Sequence, residues 1–145
     1  MEKHATYEDA NLILRLYDLR REARLREARD WFGKNFHAGT LDEFNTLCPP
    51  GSDANAYVRM VVGYWETAAS LVACGVLNED LFFRSNGELL FVWERIRGIV
   101  PALRDLMKDP TMFHNVESVA NSFIQWINSR SPEAYAALTA RAGHR

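Results

Sequence analysis

Glu66, His114 and Glu117 are the residues of this chain whose types could do chemistry together. Two carboxylates and an imidazole form a donor set that can hold a metal ion or move a proton inside a helical bundle. His114 and Glu117 are three residues apart and share a helix face, which Asn121 extends. Glu66 comes from a separate segment, ANAYVRMVVGYWETAASLVAC, which is apolar on most sides. There Asn55, Arg59, Glu66 and Ser70 fall on one narrow strip with Gly63 between them. A carboxylate left buried, charged and alone would cost on the order of several kcal/mol, so Arg59 on its own strip, or Arg104 from a neighbouring helix, is expected to meet it.

The metal reading has a poor template. Helical di-metal sites take a Glu-x-x-His pair from each of two helices plus further glutamates, whereas this chain has one pair, in reversed order. His4, His37 and His144 lie near termini or in a loop and form no ligand pair, and Glu94 lies with Arg97, Arg104 and Lys108 on what reads as a polar face. The expectation is a polar cluster of Arg59, Glu66, Arg104, His114 and Glu117 that fixes helix packing, with no metal, no cofactor and no enzymatic activity. A metal-binding or catalytic bundle built on Glu66, His114 and Glu117 is the alternative.

A second candidate is the stretch RLYDLRREARLREARDWF, Arg15 to Phe32. Its arginines 15, 20, 21, 24, 26 and 29 could meet phosphates, but Asp18, Glu22, Glu27 and Asp30 oppose them. Glu22, Arg26 and Asp30 are spaced four apart in the order that pairs charges within a helix. A solvated face is therefore favoured over contact with nucleic acid or an arginine-lined protein interface. Apolar residues motivate the interface reading. Leu12, Leu16, Leu19 and Ala23 form one seam that ends at Arg26, and Leu25, Ala28 and Phe32 form a second on another side. A continuous helix over 7–33 would be roughly 40 Å long. Two seams suggest two partners: the chain's own core and a second copy of the chain, or two different helices of one monomer. Self-association through Leu12, Leu16, Leu19, Leu25 and Phe32 is the expected partnership, with an unidentified protein partner as its variant.

The elements that position these residues are marked by their punctuation. Thr6 with Asp9, and Thr40 with Glu43, resemble capping boxes. Ser52 opens the apolar helix that Gly75 closes, and Asn78 opens a short one that Asn86-Gly87 breaks. In the next segment Leu89, Val92, Trp93, Ile96, Val100, Leu103 and Met107 follow three-and-four spacing, with a kink expected near Arg97 and Gly98 ahead of Pro101. Asp109-Pro110 should open a helix whose inward stripe is Phe113, Val116, Ala120, Phe123 and Ile127. Ser131-Pro132 should open a last, short helix, and the AGHR tail is expected to fray.

No segment alternates apolar and polar residues in the period of a strand. The expectation is one all-α domain over 1–145: a bundle of about four long helices with two or three short ones, its core in 52–130 and a short helix in 131–145. With 48% hydrophobic residues the chain can fold, and its net charge of −2 argues against a polyanion binder. The stretch MEKHATYEDA lacks the apolar core a secretory signal needs, so none is expected, and no membrane-length apolar run, Gly-rich phosphate loop or nucleophile elbow is read. A cytoplasmic protein is expected, with no membrane role, and Cys48 and Cys74 are read as reduced packing residues.

The segment YWETAASLVACGVLNEDLF, followed by VWERIRGIVPALRDLMKDP and FHNVESVA, resembles the bacterial domain-of-unknown-function family four-seven-six-zero. In that pattern a glutamate-bearing helix runs into a Gly-hydrophobic-Leu turn. A Trp-bearing helix with a downstream Pro and Arg follows, then an aromatic-x-x-x-Glu. The matching residues are Glu66, Gly75, Leu77, Trp93, Pro101, Arg104 and Glu117, in the second half of the chain. The resemblance implies a helical fold with a Glu, Arg, Glu cluster, most simply structural, and it assigns no substrate. Some relatives carry an N-terminal membrane anchor, which is not legible here.

Overall fold

Thr6, Thr40, Ser52 and Asn78 each accept a backbone N–H from three residues further on, and so start four helices at the positions their sequence signals indicate. Thr6 and Asp9 close a full capping box. The structure, a computed structural model, describes residues 3–143. Among them are nine helices and no strand: α1 (Tyr7–Arg20), α2 (Ala23–Asn35), α3 (Leu41–Leu47), α4 (Asp53–Ala73), α5 (Glu79–Ser85), α6 (Glu88–Ile96), α7 (Val100–Met107), α8 (His114–Asn128) and α9 (Pro132–Ala142).

The apolar α4 is central, packed between α2 and α8, and α6 closes the core against α8 and α9. Trp65, Ala68 and Ala69 of α4 have no exposed surface, nor do Leu89 and Leu90 of α6 or Val116 and Ala120 of α8. At about 25 cal/mol per Å² of apolar area, side chains buried this way supply the main drive to fold. Gly75, at φ +79°, ends α4 as expected, with the N–H of Val76 and of Leu77 returning to the Leu71 carbonyl.

Three expected features are corrected. The continuous helix over 7–33 is two helices. Glu22 leaves helical geometry at ψ 136° and caps α2 with its own carboxylate, which accepts from the N–H of Arg24 and Leu25. The break turns the second seam and part of the first toward the core. Leu16, Leu25, Ala28 and Phe32 are buried within the chain, Leu12 is half-buried, and Leu19 is 53% exposed. Leu16, Leu25 and Phe32 are therefore core residues rather than interface residues. The kink before Pro101 is a termination: α6 ends at Ile96, and α7 takes Pro101 into its first turn, where a missing N–H leaves nothing unpaired. The stripe continues through buried Val100 and half-buried Leu103 of α7 and ends before Met107, which is 60% exposed. Asp109 does not cap α8. Its carboxylate accepts from the Thr111 N–H and hydroxyl, holding a turn, and α8 starts at His114 after Phe113 at φ 60°.

Ser131-Pro132 does open α9. The expected fraying of the tail is not seen at its first residues, since Ala142 is buried and Gly143 adopts φ +83° against the His37 ring; His144 and Arg145 lie outside the described residues. Cys48 is buried and Cys74 exposed, and neither is in a disulfide.

Candidate functional site

Glu66 reaches from α4 to the first turn of α8, where Oε1 accepts the backbone N–H of Val116 at 2.8 Å. Phe113, at the start of α8, supplies no side-chain cap of its own. A carboxylate from another helix fills that place and meets the positive end of the α8 dipole. The expected guanidinium partner is replaced by this helix end: among the described residues no Lys or Arg nitrogen lies within ion-pair distance of Glu66.

Arg104 instead pairs with Glu117 at 3.0 Å, while its Nε donates to the Met112 carbonyl at 2.8 Å. The two contacts lock the turn that precedes α8. His114, the first residue of α8, is exposed, and no group of three metal-ligating side chains converges among the described residues. Glu66, Arg104 and Glu117 thus gather at one helix start, and His114 flanks it from solvent. Arg59 stands apart. Its Nε donates to Asn55 Oδ1 at 3.0 Å, and Asn55 Nδ2 donates to the Cys48 carbonyl. Arg59 and Asn55 border an apolar cleft between α4, α7 and the 112–113 turn.

Two further polar centres were not anticipated. Arg95, buried in α6, donates through Nε to the Ala142 carbonyl and through Nη1 to the carbonyls of Phe36 at 2.9 Å and of Phe32 and Gly33 at 3.3 Å. One guanidinium thereby caps the carboxyl ends of α2 and α9, the position at which helix dipoles favour a cation. The Phe91 ring lies 4.5 Å beneath it, and burial pulls its pKa below the ordinary arginine value. Its neighbour Glu94, expected on a polar face, is buried too; it accepts from Tyr135 at 2.6 Å and from Arg97 at 3.2 Å. The only sequence signal for either was a charged pair inside an apolar run; Glu94 was expected on a polar face and Arg95 was not singled out.

The second centre is Glu88. It takes Arg29 in two parallel hydrogen bonds of 2.9 Å and the Trp65 indole N–H at 3.0 Å. Hydrogen bonding to Glu88 raises the Arg29 pKa. Arg29 also donates to the Arg20 carbonyl at the end of α1, and Arg20 donates to the buried Asn86 and lies over the Trp65 ring. Two of the six arginines of the basic stretch are therefore internal fasteners across the α1–α2 break. Next to them the Tyr64 hydroxyl donates to the Leu16 carbonyl, and burial pushes its pKa up to about 12.

The convergent carboxylates and guanidiniums hold helix ends. No helix among the described residues is long and apolar enough to cross a membrane. No curated protein and no solved structure matches the chain. The model of the family described as Domain of unknown function (DUF4760) matches residues 5–140, and the chain belongs to that family.

Proposed function

We propose that the chain is a small helical interaction protein that self-associates through the outward face of α1. The observation that supports this reading is an exposed apolar stripe: Tyr7, Leu14 and Tyr17 are 83%, 63% and 50% exposed, while the opposite side of α1 buries Asp9 and Leu16. Separations of seven and three put the stripe on one face. Twofold pairing is the commonest way to cover such a face. Tyr7 and Arg21 each lie seven residues from Leu14. In an antiparallel pair Leu14 therefore meets its own copy, and Tyr7 meets Arg21 of the partner subunit. The first turn of α1, where Glu8 is exposed, then lies beside the basic end of the other copy. In this reading the cluster of Glu66, Arg104 and Glu117 serves architecture and no catalytic step is involved.

Sedimentation velocity at low and high micromolar concentration tests the reading. A concentration-dependent dimer is expected, lost in Leu14→Arg with the thermal unfolding of the monomer unchanged. A monomer throughout that range overturns it.

A further inference from the structure

Gly63 sits in the middle of the 21-residue α4, where glycine is about 1 kcal/mol less favourable than alanine. No packing reason for it is present. A Cβ built at Gly63 would meet nothing within 4 Å, and the backbone there is helical. What the glycine leaves open is a cleft of about 370 Å³, within the size range of small-molecule sites. Its walls are Val58, Val62, Ile99, Leu103, Met112 and Phe113. Val62 and Ile99 are buried, and the Met107 and Met112 thioethers that also line the cleft are the side chains best able to adapt to an occupant.

The polar groups of the cleft are few and oriented. Arg59 is the one charged side chain among the described residues that line it, and Asn55 the one amide. The Cys48 carbonyl fixes the Asn55 amide, which in turn holds Arg59 by Nε. The Nη atoms of Arg59 have no carboxylate within 4.0 Å among the described residues. An apolar cleft whose lining includes one guanidinium, held by Asn55 and without a carboxylate partner, is complementary to a molecule with an apolar body and an anionic end. Glu66, one turn beyond Gly63, is turned away toward Val116, so its negative charge is tied to the α8 helix end.

We infer that this cleft binds a small amphiphilic carboxylate of medium chain length, with the chain over Gly63 and the carboxylate on Arg59. The inference is independent of pairing through α1, because none of its residues lies on that helix.

Isothermal titration calorimetry of the full chain with decanoate, 1-decanol and acetate tests it. Saturable one-to-one binding of decanoate is expected, with decanol at least about tenfold weaker and acetate silent. Arg59→Gln should reduce decanoate to the level of decanol. Gly63→Leu should fill the chamber and remove both, while Gly63→Ala, which melts at a slightly higher temperature, retains binding. Chemical-shift mapping guards against misfolding of the leucine variant, since the Met112 and Leu103 methyl resonances of the unaltered protein must move on adding decanoate. Absence of saturable binding, equal affinity for acid and alcohol, or shifts confined to another region overturns the inference.

Discussion

The Glu66 carboxylate accepts the Val116 N–H across a sequence separation of 50 residues, so the central helix caps a helix it is not connected to by any turn. Removing that acceptor should act on the start of α8 first. Glu66→Ala is expected to cost about 1–2 kcal/mol, and Glu66→Gln, which keeps a neutral acceptor, less than half of that. Urea unfolding gives the two values. Equal losses would mean that the capping bond contributes nothing beyond packing.

Arg95 ties the ends of α2 and α9 to α6 through backbone carbonyls. Replacing it by methionine leaves several buried carbonyls unpaired and should cost about 3 kcal/mol or more. Lysine, with a point charge in place of a planar fork, should recover only part. Hydrogen exchange adds a positional check: the amides of 132–142 should lose protection before those of α4 and α8.

Trp65 and Trp93 are both buried, yet only the Trp65 indole has an acceptor, Glu88. Trp93 Nε1 is buried without a partner among the described residues. Trp65→Phe should therefore destabilise by about 1–2 kcal/mol more than Trp93→Phe, because it deprives a carboxylate of a charge-assisted bond whereas the other change deletes an unsatisfied donor. Paired denaturation curves measure the difference, and a reversed order would sink the argument.

Among the described residues four carboxyls are held below their ordinary values. The cause at Asp9 is first the Thr6 backbone N–H, at Glu22 the Arg24 backbone N–H, at Asp80 the Trp126 indole and at Asp109 the Thr111 hydroxyl. Since the unfolded chain takes up these protons more readily, their contribution is fully present above the unfolded values near 4 and is lost as pH falls through the lower folded values. The urea midpoint should hold between pH 7 and 5 and drop steeply below about pH 4. Asp80→Asn should flatten that drop.

The helix starts at Thr6, Thr40, Ser52, Asn78 and Ser131, the helical class and the centrality of α4 were legible in sequence, because caps and periodicity act over a few residues. The pairing of Arg104 with Glu117 was half legible: the cluster could be named, but Glu66 joined it through a backbone N–H that carries no sequence signature. Glu22 as a cap, the burial of Glu94 and Arg95, and the place of Arg59 in the lining of a cleft were not legible at all. Local rules determine where a helix can begin and which face is apolar. Which polar side chain meets which distant helix end depends on how the helices settle against one another, and one residue's type does not encode the environment that packing delivers to it.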